Sequence, residues 1–130
     1  MKTTYTVALS MLTGIGLGSA AIQTIHAQAK PPAYMVIEIN KITDAEGFKV
    51  ITQRPRGGAD VAKELGGHYI VRTDKITALD GTAPQRFIVY SFDSVEKAQA
   101  FNNSSYMKEV NAIRDKTTQA RSFIVEGMPQ

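Results

Sequence analysis

The side chains with the most chemistry to offer are His68, Arg72, Arg86, Tyr34, Tyr90 and Glu38. Imidazole titrates near neutral pH, so His68 can act as a general base. Two guanidiniums present forked donors that can clamp a carboxylate, which suits Arg72 and Arg86 to a small anionic ligand. Tyr34 and Tyr90 add a hydroxyl and an aromatic wall, and Glu38 can touch the ligand or pair with the arginines until the ligand displaces it. Together they describe recognition of a small anionic or aromatic molecule, with His68 as the candidate catalytic group.

Each residue also has a plainer role. His68 follows a glycine pair and can be no more than a half-exposed strand residue. Arg72 and Arg86 can form ion pairs with Glu38, within a chain or across a dimer. Strand tyrosines commonly pack with only the hydroxyl wet. No nucleophile or orienting carboxylate stands at a diagnostic spacing from His68, so the set names no reaction. His68 is the only histidine outside the first 29 residues and cysteine is absent, which leaves no metal-ligand spacing and no cofactor to expect.

Strand alternation is what would bring these residues together. Tyr34 to Asn40 alternates Met35, Ile37 and Ile39 against Tyr34, Val36, Glu38 and Asn40. Asp44 can cap a helix carrying Phe48 and Ile51, which Pro55 and Gly57-Gly58 interrupt before it resumes at Asp60 and stops at Gly66-Gly67. His68 to Thr73 reads as a second strand, with Tyr69 and Val71 opposite His68, Ile70 and Arg72. Arg86 to Phe92 reads as a third, with Phe87, Val89 and Ser91 opposite Arg86, Ile88, Tyr90 and Phe92. The loop between them has room for a strand extension over Ile76 to Leu79. Asp93 to Glu96 carries a capping-box signal for a helix that buries Val95, Ala98 and Phe101. Asn102 to Ser105 ends it, and Tyr106, Val110, Ile113 and Thr117 mark another helix before a last strand at Arg121 to Glu126.

Strand, helix, strand, strand, helix, strand is the α+β, ferredoxin-like order: a four-stranded antiparallel sheet with helices on one face. The other face would carry Val36, Ile70, Ile88 and Phe92 beside Glu38, His68, Arg72, Arg86 and Tyr90. Leaving those apolar side chains in water would forgo roughly 6 to 12 kcal/mol. A second copy of the sheet is the simplest cover, which predicts a homodimer with a salt-bridged seam or a part-polar pocket between the sheets.

Residues 1–29 read as an export signal: Lys2, a soft apolar run from Val7 to Ile25, and Ala27-Gln28-Ala29 in the form a signal peptidase cuts. Glycines and polar residues dilute the run, which favours cleavage after Ala29 over a permanent membrane anchor. The expectation is a bacterial Sec-type signal and a periplasmic or secreted protein, with residues 30–130 forming one domain. The formal charge is +3 with Lys2 and +2 once it is removed. Arg54, Arg56 and Lys63 alternate with Asp60 and Glu64, so no basic stripe for nucleic acid is present.

Ala33-Tyr34, Asp44 with Phe48, Gly66-Gly67-His68-Tyr69-Ile70-Val71-Arg72, Pro84 with Arg86, Phe101 with Tyr106, Arg114 and Val125-Glu126-Gly127 resemble the DUF1330 family, whose activity is unknown. The resemblance implies a dimeric α/β barrel, in which two ferredoxin-like protomers pack sheet against sheet. The wider superfamily includes cofactor-free monooxygenases and isomerases, so cofactor-free catalysis is what the fold analogy implies. The alternative is a closed barrel serving as a structural or interaction module. It would have no cavity reaching the roughly 300 Å³ lower end of ordinary ligand sites.

Overall fold

The computed structural model describes residues 30–129; the expected leader at 1–29 lies outside the described residues. The chain runs β1 (Ala33–Ile42), α1 (Ala45–Thr52), α2 (Gly58–Glu64), β2 (His68–Thr73), β3 (Arg86–Phe92), α3 (Val95–Asn102), α4 (Ser105–Thr117) and β4 (Thr118–Glu126). The strands form one antiparallel sheet in the order β2-β3-β1-β4. This is the α+β, ferredoxin-like fold, and the sheet is open rather than closed into a barrel.

Short polar side chains start the helices by accepting otherwise orphaned N–H groups. Asp44 accepts from Gly47 at 3.0 Å, Ser94 from Lys97 at 3.3 Å and Ser104 from Met107 at 3.2 Å. Ser94, not Asp93, is therefore the cap of α3, and Asp93 instead holds Lys97 at 3.1 Å. At the end of α2, Gly66 adopts φ +78°, so that Gly66 N–H reaches the Lys63 carbonyl and Gly67 N–H the Ala62 carbonyl. That left-handed turn requires glycine, and it swings the chain into β2.

The helices cover the face that carries Met35, Ile37 and Ile39. Phe48, Val61, Ala62, Ala98, Phe101, Met107 and Val110 close over it. On β3 the residues pointing into this layer are Ile88, Tyr90 and Phe92, with Arg86 in line: Ala33 pairs with Phe92, Met35 with Tyr90, Ile37 with Ile88 and Ile39 with Arg86. Tyr90 and Phe92 pack on Phe101, with ring centroids 4.8 and 5.3 Å away. The alternation expected along β3 is present, but its two faces are exchanged relative to the expectation. Ile88, Tyr90, Phe92 and Arg86 lie under the helices, while Phe87, Val89 and Ser91 lie on the open side.

Strand β2 breaks the alternation. Tyr69 pairs with Tyr90 and Val71 with Val89, so Ile70 is an extra residue, a β-bulge. Tyr69 and Arg72, three apart in sequence, thus share the covered face, whereas His68 and Val71 stand on the open one. Between β2 and β3 the expected strand extension at 76–79 does not form, and Leu79 is 92 % exposed. Gln85 ties the end of that loop to β1, donating its N–H to the Ile39 carbonyl and accepting from Ile42 N–H at 2.7 Å. Strand β4 begins at Thr118, three residues earlier than expected, with a register shift opposite Ile39 and Lys41.

Candidate functional site

Under the helices, beside β2 and β3, the packing leaves a cavity of about 130 Å³. Its apolar walls come from Ile37, Ile39, Phe48, Ile51, Met107 and Val110. Its polar lining is made of Thr52, three tyrosines, Tyr69, Tyr90 and Tyr106, and four arginines, Arg54, Arg72, Arg86 and Arg114, with no aspartate or glutamate.

The tyrosines form a connected wall. Tyr69 and Tyr90 stack at 4.3 Å and 27°, and the Tyr90 hydroxyl donates to that of Tyr69 at 2.8 Å. Both hydroxyls rest against Gly58 at the start of α2. A Cβ there would collide with Tyr90 Oη and lie 2.9 Å from Tyr69 Oη, whereas one at Gly57 would meet nothing within 4 Å. The chain break at Pro55 to Gly58 thus lets backbone approach a pair of phenols. Burial pushes the Tyr90 phenol far above its ordinary pKa, with the neighbouring Tyr69 adding to the rise, so Tyr90 remains a protonated donor. Burial raises Tyr106 too, partly offset by Arg54 and Arg72.

The arginines differ in what holds them. Arg54 lies over the Tyr106 ring at 5.2 Å and pairs with Glu109 at 2.5 Å. Arg72 lies over the Tyr69 ring at 5.3 Å. Among the described residues neither Arg72 nor Arg86 has a carboxylate partner. Arg114 is only 7 % exposed, and burial lowers its pKa.

The structure divides the residues expected to act together. Arg72, Arg86 and Tyr90 line the cavity. Glu38, Tyr34 and His68 stand on the opposite face of the sheet, so the expected cluster with His68 as base does not assemble. Glu38 faces Arg121 across β1 and β4 and accepts from its Nε at 2.7 Å, which raises the Arg121 pKa through that hydrogen bond. The expected pairing of Glu38 with Arg72 or Arg86 is therefore replaced by a pair from the last strand. Exposed His68 sits opposite Ser91, and Tyr34 packs beside Gly127. Among the described residues no group of three or more His, Cys, Asp or Glu has metal-binding geometry.

Sequence reasoning missed Tyr69, Tyr106, Arg54 and Arg114 as cavity residues. For the helix pair a signal existed: Tyr106, Val110 and Arg114 recur at intervals of four, one face of α4. For Tyr69 the signal was alternation itself, which sets it opposite His68; what alternation cannot foresee is the bulge that turns Arg72 to the same side.

The family profile described as domain of unknown function (DUF1330) matches residues 32–128. No curated protein matches the chain significantly. Among solved structures, a protein of unknown function from Rhodopseudomonas palustris is similar with TM-score 0.59 and 14 % identity, covering 82 % of this chain and 94 % of the other. A candidate antibiotic biosynthesis monooxygenase from Nitrosomonas europaea is similar with TM-score 0.50 and 12 % identity, covering 76 % and 92 %. At these identities the likeness concerns the fold.

Two outcomes follow from the tyrosine wall. Because the folded pKa of Tyr90 lies above its unfolded value of about 10, its contribution to stability is complete below that pH and is lost as pH rises past it. Denaturant titrations from about pH 8 to 11 should show wild type losing stability more steeply than Tyr90→Phe, which at neutral pH is weaker by about 1 kcal/mol. Equal slopes would contradict the burial argument. Gly58→Ala should cost about 1 to 3 kcal/mol by overpacking the phenols, and Gly57→Ala well under that; the same denaturation midpoints measure both.

Proposed function

The chain belongs to the DUF1330 family, and we propose that it binds a small anionic, aromatic molecule in the cavity between its helices and its sheet. The observation that carries this reading is the lining itself, which holds four guanidiniums and no carboxylate. Arg114 is the buried one of the four, and a buried cation is costly unless an opposite charge joins it, while Arg72 is exposed and Arg54 is paired with Glu109; arginine binds carboxylates through paired, charge-assisted hydrogen bonds. The stacked tyrosines and the isoleucines give the rest of a ligand an apolar bed.

Size narrows the choice. A dry cavity of about 150 Å³ accepts benzene, so about 130 Å³ suits one ring or a short chain with its acid group directed at the arginines. This moves the site from between two sheets to within one protomer. Catalysis, where the bound acid is turned over, would be cofactor-free: phenols donate protons and guanidiniums stabilise an oxyanion.

The small volume also supports a second reading, a structural or interaction module with a filled interior, since ordinary ligand sites begin at roughly 300 Å³. Calorimetric titration with benzoate, phenylacetate and their neutral amides separates the two. The binding reading expects the acids alone to bind and Arg72→Ala to weaken them about tenfold or more. Wild type indifferent to every acid would leave the structural module.

We also propose a homodimer. The open face carries Val71 and Phe87, with Phe123 and Val125 38 % and 41 % exposed, flanked by the Glu38–Arg121 pair. A second copy of the sheet would cover them. Sedimentation at micromolar concentration should give twice the chain mass; a folded single chain would overturn the proposal. Export is supported by the leader pattern, and protein recovered from the periplasm should begin at Lys30 rather than Met1.

A further inference from the structure

Arg114 sits on α4 at the cavity wall, 7 % exposed, on the same helix face as Tyr106 and Val110. Its hydrogen bond runs from Nη2 to the Asn111 Oδ1 at 2.8 Å, and Asn111 Nδ2 in turn donates to Asn102 Oδ1 at 3.1 Å. The relay reaches from the end of α3 to the guanidinium and is neutral throughout. Among the described residues no carboxylate forms an ion pair with Arg114, and Asp115, next in sequence, is exposed and acts only at a distance. Asn111 takes one N–H of the guanidinium, and the side chain lines the cavity.

Such an arrangement is poor for stability alone. A buried cation held by one neutral amide retains most of its desolvation cost, whereas a carboxylate in place of Asn111, or an apolar residue in place of Arg114, would remove it. The relay does do one thing well: it fixes the plane of the guanidinium while leaving its charge unanswered. Resting on the binding reading above, we infer that Arg114 is the primary anchor for the carboxylate of a single-ring aromatic acid, with Asn111 and Asn102 as positioning residues and Arg72 and Arg86 as secondary contacts. Arg54 is excluded from the anchor's role because Glu109 already answers it.

The test compares wild type, Arg114→Met and Asn111→Asp by calorimetric titration with benzoate and by melting temperature. Arg114→Met keeps the side-chain length and removes the charge. Asn111→Asp supplies an internal carboxylate that occupies Arg114, and the Asn102 amide can turn over to donate to it. Both variants should bind benzoate about tenfold or more weakly, while melting at or above the wild-type temperature. Loss of affinity combined with undiminished stability is a pairing that a merely structural arginine would not produce. If Arg114→Met fails to fold, Asn111→Asp decides alone. Benzoate binding by wild type that persists undiminished in the folded variants overturns the anchor and leaves the cavity reading intact. Wild type that binds neither benzoate nor phenylacetate overturns both.

Discussion

One extra residue in β2 governs what the cavity can hold. Ile70 bulges out of the ladder, and the strand therefore turns both Tyr69 and Arg72 to the helix-bearing face, where Arg72 stays exposed. In a regular strand, residues three apart face opposite ways. Either the stacked phenol or the guanidinium would then have been lost to the open face. With the bulge, Tyr69 stacks on Tyr90, Arg72 rides over Tyr69, and the hydroxyl pair reaches up to Gly58. The chain break at Pro55 to Gly58 is the complement of that bulge, since only a residue without a Cβ fits against the two hydroxyls.

The electrostatics follow from the same geometry. The sheet sorts its charges by face. Glu38 and Arg121 neutralise each other on the open side, whereas the covered side collects arginines without acids. Arg54 draws its counter-charge from Glu109 at the cavity's edge, and Arg114 has only a neutral amide. A protein core tolerates such an imbalance at a cost, and sites where it persists are commonly sites of function. The covered side therefore gathers the arginines and tyrosines, and the open side carries the Glu38–Arg121 pair.

Much of the fold was legible in the residues. Period-two runs placed the first three strands, Asp44 and the Asn102 to Ser105 break placed helix ends, and Gly66-Gly67 marked the turn into β2. The order of elements then implied the antiparallel layer with helices on one side. The site was only partly legible. Arg72, Arg86 and Tyr90 share a face, but the helix-bearing one rather than the open one expected; β3 is apolar on both faces, so its alternation alone does not say which face meets the helices. Large aromatic side chains decided that, because Tyr90 and Phe92 need Phe101. The bulge at Ile70 has no signature in a single sequence; alternation already sets Tyr69 opposite His68, and what the bulge changes is Arg72, which it carries to the covered face. Arg114 was hidden by habit: a charged residue on an amphipathic helix is ordinarily read as solvated, though its spacing from Tyr106 and Val110 put it on the buried stripe.

Where an acid binds decides between a cavity site and a filled interior, and a crystal structure of the protein grown with benzoate reads it directly. It should show the ring beside Tyr69 and Tyr90 with its carboxylate about 2.7 to 2.9 Å from the guanidinium of Arg114. A ring lodged on the open face of the sheet, or a cavity holding only water at saturating benzoate, would contradict the cavity site.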